Sequence, residues 1–234
     1  MSAGGGLPDG WSITLDPHAR RTDHGRTLIG GFPLRLLRLT EAGARWLDGV
    51  ADGGAVPVSL AARSLARRLV DAGVAVPRPT PAVWHTPLDV TVVIPVRDDA
   101  RGLRATLATL GTDVGEVVVV DDGSRDPDAV CGAAVTVSAS VLRNETSQGP
   151  GAARQRGWRA SDRPVVAFLD ADVELPAGWL QVLLAHLDDP TVAAVAPRVR
   201  AKAGEAPGWL ARYEPFWTHR LDSLERYLIA EDGT

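Results

Sequence analysis

The chain has 234 residues, of which 45% are hydrophobic and 23% charged, and its formal net charge is −4. This composition is typical of a globular protein with one large or two smaller domains. No apolar stretch approaches the roughly 20 residues of a membrane helix, and the first ten residues lack the features of a secretory signal. Cys131 is the only cysteine, which excludes an intrachain disulfide and argues against a cysteine-based zinc site. We therefore expect a cytoplasmic protein, with peripheral attachment to a membrane left open.

Charge is distributed unevenly along the chain. Residues 7–80 contain ten basic and seven acidic residues, a net charge of +3, whereas residues 81–234 contain 15 basic and 22 acidic residues, a net charge of −7. This asymmetry indicates two units with different partners. The second unit has an acidic excess and no basic stripe interleaved with aromatic residues, which argues against nucleic-acid binding.

A β-hairpin is predicted near the start of the chain. Polar and apolar residues alternate in Trp11–Leu15 and again in Thr27–Ile29, a pattern typical of half-buried strands. Asp23-His24-Gly25, which lies between them, is a turn signal. We therefore expect these two strands to pair with each other.

Two helices and a short strand complete the first unit, which spans residues 7–76. Thr40 is a predicted N-cap for the first helix and Ser59 for the second. The apolar residues at helical spacing are Ala44, Leu47 and Val50 in the first helix and Leu60, Leu65, Leu69 and Val70 in the second. Gly73 is expected to end the second helix before a strand at Val74–Val76.

This order of elements, with L-T-E-A-G-A at 39–44 and L-V-D-A-G-V-A at 69–75, resembles the small winged-helix domains that recognise precursor peptides of ribosomal peptide natural products. The resemblance implies that residues 7–76 contact a precursor peptide or a protein of the same pathway, by adding a strand to an exposed sheet edge. A domain that only packs against the second unit is the alternative.

The boundary between the units is marked by Pro77-Arg78-Pro79-Thr80-Pro81. Three prolines in five residues predict an extended connector that neither a helix nor a central strand can cross. We assign residues 77–87 to this linker and residues 88–234 to the second unit.

Strands and helices alternate in the second unit. The predicted strands are Asp89–Val96, Val117–Val120, Val135–Leu142, Pro164–Leu169 and Val192–Ala196. The predicted helices are Arg101–Leu110, Gly151–Ala160 and Pro176–Leu187. Repeated strand–helix units of this size specify a parallel sheet with right-handed crossovers, so the expected class is α/β.

Two segments of this unit end in paired carboxylates. Glu116–Asp122 reads E-V-V-V-V-D-D, and Phe168–Asp172 reads F-L-D-A-D. Because the carboxyl ends of parallel strands meet at one edge of a sheet, both pairs are expected to share an acidic pocket. Their oxygens suit Mg²⁺ or Mn²⁺ that bridges to a phosphorylated substrate. A helix-capping role for the first pair and plain solvation of the second are the alternatives.

A glycine-rich helix start lies between the two acidic segments. Gly149-Pro150-Gly151 permits a tight turn, and Arg154, one turn into the helix, can reach phosphate oxygens beside the helix N-terminus. A plain helix-start loop is the alternative.

Four motifs of the second unit, in this order, resemble family 2 glycosyltransferases of the GT-A fold. They are I-P-V-R-D at 94–98, D-D-G-S at 121–124, G-P-G-A-A-R-Q-R-G at 149–157 and F-L-D-A-D-V at 168–173. Gln155 departs from the asparagine usual in the third motif. The resemblance implies a Rossmann-like, mostly parallel nucleotide-sugar domain, preceded here by the small winged-helix-like α+β domain.

The resemblance also implies a function. It implies a metal-dependent, inverting transfer of a hexose, taken as glucose, from a UDP-sugar to a small peptide-derived acceptor. The implied metal is Mg or Mn, with Asp172 and Asp170 as its ligands. The implied donor-binding residues are Pro95, Asp98, Asp121, Asp122, Arg154 and Asp170.

The catalytic base is the least well matched part of the resemblance. Inverting members carry a later carboxylate, usually in a Glu-Asp pair that precedes a helix, and here only Glu231-Asp232, close to the end, is a candidate. Asp232 is therefore the predicted base, and we expect the second unit to be incomplete at its C-terminus. A cell-wall or polysaccharide transferase, and an inactive remnant that binds nucleotide or peptide, are the alternatives.

Overall fold

The described part of the chain, residues 5–82, 84–111, 113–197 and 199–200 of a computed structural model, contains three β-sheets and six α-helices. The first eight elements are β1 (Ser12–Leu15), β2 (Arg20–Thr22), β3 (Thr27–Gly30), β4 (Arg35–Arg38), α1 (Glu41–Val50), β5 (Asp52–Ala55), α2 (Leu60–Asp71) and β6 (Ala75–Arg78). The next eight are β7 (Val90–Val96), α3 (Ala100–Thr109), β8 (Glu116–Asp122), α4 (Pro127–Ala134), β9 (Ser140–Asn144), α5 (Pro150–Arg159), β10 (Val165–Phe168) and α6 (Trp179–Leu187). Within these residues, no helix is both long and apolar enough to cross a bilayer.

The predicted hairpin has the right turn but the wrong partner strand. Asp23 and His24 adopt left-handed φ angles of 51° and 53°, as the turn signal requires. The turn joins β2 to β3, with Thr22 opposite Thr27, and β4 pairs on the other side of β3. β1 instead lies between β5 and β6 in a separate antiparallel sheet. A short turn pairs the residues that directly flank it. The strand before this turn is the arginine-rich β2, which contains no apolar residue, so β2 and not β1 pairs with β3.

The two helices of the first unit begin where predicted. The hydroxyl of Thr40 accepts a hydrogen bond from the Gly43 amide at 3.1 Å, and that of Ser59 accepts one from the Ala62 amide at 3.3 Å. The last strand, β6, extends to Arg78 and so crosses the predicted boundary at residue 77. Pro77 is tolerated there because β6 is an edge strand.

The second unit contains a four-stranded, wholly parallel sheet in the order β10-β7-β8-β9, which confirms the predicted α/β class. Almost every residue of β7 and β8 is buried, because helices cover both faces of the sheet. α3, α4 and α6 pack on one face through Leu103, Leu107, Val130 and Leu184, among others. α5 packs on the other face through Ala153.

Three segments of the second unit differ from the sequence prediction. α4 was not predicted, although Asp126 caps it through the Ala129 amide and Pro127 occupies its first turn. The strand predicted over Val135–Leu142 is a 3-10 turn at Val135–Val137 followed by β9. The strand predicted over Val192–Ala196 is wrong, since these residues have no regular secondary structure.

The first unit has a hydrophobic core of its own, and it contacts α6 and the residues that follow. The core includes Leu7, Ile13, Leu28, Leu47 and Leu69, all fully buried. Trp11 meets the ring of His186 edge-on, with centroids 6.0 Å apart. Arg67 pairs with Asp189, whose side chain is 2% exposed. The division at the proline-rich segment stays a prediction.

Gly157 generates a test of how closely α5 approaches the sheet. A Cβ at this position would overlap Cγ1 of Val93 and lie 3.1 Å from Cγ2 of Val120. We expect Gly157→Ala to lower the free energy of unfolding by about 1–3 kcal/mol, because the helix must move off the sheet. Urea unfolding followed by circular dichroism measures this change.

Gly132 in α4 provides the matched control, since nothing lies within 4 Å of the Cβ that alanine would add there. Gly132→Ala should stabilise the protein by up to about 1 kcal/mol, the intrinsic helix preference for alanine. Equal effects of the two substitutions would contradict the packing described for α5.

Candidate functional site

The candidate site lies at the carboxyl edge of the parallel sheet. β7, β8 and β10 run in the same direction, so the residues that follow them emerge at one edge. Three of the predicted motifs end at this edge, and the α5 helix start is joined to it by hydrogen bonds to Asp122. The sheet therefore brings the site residues that were predicted between positions 94 and 173 to the same edge.

Asp122 is a buried acceptor that organises the loop before α5. Its carboxylate accepts hydrogen bonds from the side chains of Asn144 and Ser147 at 2.6 and 2.7 Å. It also accepts the backbone amides of Gln148 and Gly149, each at 2.9 Å. Burial raises the pKa of Asp122, but these four donors outweigh it and lower the pKa from 3.8 to about 2.

Asp121 is also buried, and its partners lie within the chain. One oxygen accepts the Ser124 amide at 2.9 Å, and the other forms an ion pair with Arg143. Arg143 also donates to the carbonyl oxygen of Ser124 at 3.2 Å. Neither Asp121 nor Asp122 is the N-cap residue of a helix, although Asp122 accepts amides at the start of α5.

Asp98 joins the ends of β7 and β8. Its amide donates to the Ser124 hydroxyl at 2.9 Å, and its carboxylate accepts the Arg125 amide at 2.8 Å. Asp98 adopts a left-handed φ of 55°, and its side chain is 35% exposed. Pro95 precedes it in β7, beyond the last residue that pairs with β10, so its missing N–H costs no pairing there.

The start of α5 faces the acidic turn after β10. Gly149 has a φ of 90°, which a side chain would strain, and it is the residue that precedes the first turn of the helix. Arg154, one turn into α5, forms an ion pair with Asp170. The structure therefore brings together two residues that the sequence predicted for the same site.

Asp170 and Asp172 lie on the turn that follows β10, and both are exposed. Within the described residues, no cluster of three or more His, Cys, Asp or Glu side chains could enclose a metal ion. Two accessible carboxylates still fit a hard divalent cation, because Mg²⁺ commonly keeps several waters and binds through one or two carboxylates and substrate phosphates. The donor set is thus of the right chemistry for a cation shared with a ligand.

Sequence reasoning missed several residues that build this edge. Asn144 is 3% exposed at the end of β9, and its side-chain oxygen accepts from Arg156 of α5. Ser147 also binds the Arg97 side chain at 3.0 Å. Their position after a strand could have identified them, because polar residues that follow a strand of a parallel sheet emerge at the same edge as Asp122. Asp232, the predicted base, lies outside the described residues.

Comparison with known proteins finds a matching family and several similar proteins. A family model described as Glycosyl transferase family 2 matches residues 91–232. The pre-mycofactocin glycosyltransferase of Mycobacterium tuberculosis is 46% identical over 212 residues, which cover 89% of this chain and 43% of that protein. The succinoglycan biosynthesis protein ExoU of Rhizobium meliloti is 35% identical over 144 residues, which cover 59% of this chain and 42% of that protein. The chain therefore spans less than half the length of these relatives.

Comparison with solved structures gives an alignment over a smaller part of the chain. A mannosyltransferase of Pyrobaculum calidifontis, solved with GDP-Man and Mn²⁺, aligns with a TM-score of 0.47 and 30% identity. The alignment covers 52% of this chain and 38% of that one.

The lowered pKa of Asp122 generates a test. A folded-state pKa of about 2 against an ordinary 3.8 corresponds to about 2 kcal/mol of stability at neutral pH. This contribution is present above pH 4 and is lost as the pH falls towards 2, because protonation removes the charge that the four donors stabilise. We expect Asp122→Asn to lower the free energy of unfolding by about 2 kcal/mol at pH 7, with a smaller difference from wild type at each step from pH 4 to 2.

Urea unfolding at a series of pH values measures this difference. Asp126→Asn is the control, because Asp126 caps α4 through a single amide and asparagine caps equally well, so its effect should stay below about 0.5 kcal/mol. A constant difference between Asp122→Asn and wild type down to pH 2 would show that the carboxylate charge is not what the loop needs.

Proposed function

The chain belongs to glycosyl transferase family 2, and on this premise we propose that it takes part in the transfer of a hexose, glucose, from a UDP-sugar to a small peptide-derived acceptor such as premycofactocin. The observation that carries the proposal is the sheet edge itself, where Arg154, Asp170 and the loop held by Asp122 lie together. The acceptor class is supported by the 46% identity to a pre-mycofactocin glycosyltransferase over 89% of the chain.

A divalent cation, Mg or Mn, is part of the proposal. Asp172 and Asp170 would hold it, since both carboxylates are accessible and lie on one turn. The cation would neutralise charge on the diphosphate that leaves with the nucleotide. Arg154 supplies a second positive charge at the same place, beside the N-terminus of α5, whose free amides favour anions.

The remaining donor-binding residues are proposed in two roles. Asp98 and Pro95 lie at the open end of β7, where a partly exposed carboxylate can accept hydrogen bonds from a nucleoside. Asp121 and Asp122 are buried and fully hydrogen-bonded within the chain, which favours a role in holding the loops that surround the nucleotide. Their direct contact with a nucleotide stays a prediction.

The base of an inverting transfer is proposed to be Asp232. Inversion requires a carboxylate within hydrogen-bond reach of the acceptor hydroxyl, on the side opposite the leaving diphosphate. Asp232→Asn should then abolish transfer to the acceptor while UDP binding is retained. Unchanged transfer by this variant would exclude Asp232 as the base.

Residues 7–76 are proposed to contact a precursor peptide or a pathway protein. β4 is an edge strand of the β2-β3-β4 sheet, and it lines a cleft of about 260 Å³ between itself, α1 and α2. Apolar and basic residues line the cleft, among them Leu37, Leu39, Leu65, Leu69, Arg38 and Arg68. Among the described residues the outer edge of β4 has no strand partner, and such an edge beside an apolar cleft suits an extended peptide that adds a strand.

A cell-wall or polysaccharide transferase is the second candidate function. It is favoured by the 35% identity to a succinoglycan biosynthesis protein, although that similarity covers 59% of the chain. The two candidates differ in the acceptor, since both would use the same donor edge. Competition for transfer between premycofactocin and an oligosaccharide acceptor would distinguish them.

The donor proposal predicts metal-dependent nucleotide binding. Titration calorimetry should show that the chain binds UDP in the presence of Mn²⁺ at least tenfold more tightly than without it, and more tightly than GDP. Asp172→Asn should remove the metal dependence, because the lost ligand leaves the phosphates without the cation. Arg154→Gln should weaken UDP binding about tenfold at saturating Mn²⁺, through the loss of a charged hydrogen bond.

Asp162→Asn is the control for charge removal, since Asp162 is exposed and precedes β10, at the opposite edge of the sheet. It should bind UDP as wild type does. A folded wild-type sample that shows no Mn²⁺-dependent binding of UDP or GDP would overturn the donor proposal.

The peptide proposal predicts protection of β4. Addition of the precursor peptide of mycofactocin should slow amide hydrogen exchange in β4 and leave exchange in the parallel sheet unchanged. Leu37→Lys, which places a charge in the cleft, should remove the protection. Protection confined to other segments would contradict a binding site at this edge.

A further inference from the structure

The turn that carries Asp170 and Asp172 is held from behind by one face of α3. Gly102, Thr106 and Thr109 recur at intervals of four and three residues, so they lie on one stripe of the helix. This stripe adjoins the Leu103–Leu107 face that packs into the core. All three residues meet the backbone of residues 171–175.

Thr106 makes the central contact. It is fully buried, and its hydroxyl oxygen lies 2.8 Å from the carbonyl oxygen of Ala171 and 2.8 Å from that of Val173. A threonine hydroxyl has a single proton, which these two acceptors must share. The two carbonyls belong to the residues immediately before and after Asp172, so Thr106 holds the backbone on both sides of the proposed metal ligand.

The neighbouring residues on the stripe extend this contact. The Thr109 hydroxyl accepts the Leu175 amide at 3.2 Å and donates to the carbonyl oxygen of Thr106 at 3.0 Å. A Cβ on Gly102 would lie 3.0 Å from the carbonyl oxygen of Ala171, closer than side chains normally approach. A side chain at position 102 would require the turn to move by a few tenths of an ångström, so glycine favours the close approach of α3 to the turn.

The side chain of Asp172 has no comparable support. It is exposed, and within the described residues it forms no hydrogen bond or ion pair with another side chain. Asp170 differs, because Arg154 pairs with it. The position of Asp172 is consequently set by its backbone, and the backbone is set by α3.

We propose that Thr106 is a positioning residue that fixes the backbone around Asp172 and thereby sets the affinity of this edge for a divalent cation. This inference rests on the proposed metal-dependent binding of a nucleotide. Residues that orient a metal ligand without touching the metal typically change metal affinity by about 10- to 100-fold when they are removed. Thr106 is expected to act in the same way through two main-chain carbonyls.

The test measures Mn²⁺ binding in the presence of saturating UDP, by electron paramagnetic resonance of free Mn²⁺. Thr106→Val keeps the shape of the side chain and removes the donor, and we expect it to weaken Mn²⁺ binding about tenfold. Thr106→Ser keeps the hydroxyl and should restore binding to within about threefold of wild type. UDP binding without Mn²⁺ should be the same in all three proteins, because the hydroxyl of Thr106 contacts the carbonyl oxygens of Ala171 and Val173 and not the loop held by Asp122.

Thr91→Val separates positioning from a general loss of stability. Thr91 is equally buried, and its hydroxyl donates to Glu116 at 2.7 Å, but it lies at the amino end of β7. The Thr91→Val variant should have a lower melting temperature, as Thr106→Val does, and an unchanged affinity for Mn²⁺. Circular dichroism measures the folded fraction of each sample, and the Mn²⁺ affinity is calculated for the folded protein alone.

Three outcomes are distinguishable. Weaker Mn²⁺ binding in Thr106→Val, with rescue by serine and none of the effect in Thr91→Val, supports the inference. Wild-type Mn²⁺ affinity in a folded Thr106→Val protein overturns it while the donor proposal stands. Absence of Mn²⁺ binding in wild type overturns the donor proposal, and with it the role assigned to Thr106.

Discussion

The buried carboxylate of Asp122 is the interaction on which the geometry of the sheet edge depends. Its donors come from the end of β9, from the loop after it and from the start of α5, so one side chain fixes three segments relative to β8. A neutral residue of the same size could not satisfy all four donors, because only a carboxylate offers enough acceptor sites and no donor of its own. Together with the packing of Ala153 and Gly157 on the sheet, this charge fixes the start of α5, the helix that carries Arg154.

The sequence allowed the parallel sheet and most of its helices to be predicted, because buried parallel strands are continuous apolar runs. β7 and β8 are such runs, and their ends at Asp98 and Asp122 identified the edge without any structure. The capped helices α1 and α2 were equally clear, since Thr40 and Ser59 have no competing role. What could be predicted was therefore fixed by local patterns of burial and capping.

The parts that could not be predicted depend on contacts between distant segments. β2 is three residues long and contains two arginines, so only its pairing with β3 makes it a strand. The hydrogen bonds of Thr106 cross 65 and 67 residues of sequence, and no local pattern indicates that a polar residue beside the apolar face of α3 is buried. Asn144 was missed for the same reason, since its partner Asp122 lies 22 residues away.

The ion pair between Arg154 and Asp170 has a thermodynamic consequence for the proposed binding of a cation and a diphosphate. In that proposal, a cation alone would compete with Arg154 for Asp170, and a diphosphate alone would compete with Asp170 for Arg154, so each ligand binding singly would leave one charge without its partner. The two ligands together exchange one ion pair for two. Binding of either proposed ligand would therefore favour the other, and by linkage the effect would be reciprocal. Because both side chains are partly exposed, the pair is worth at most about 1 kcal/mol, which corresponds to a cooperativity of about fivefold.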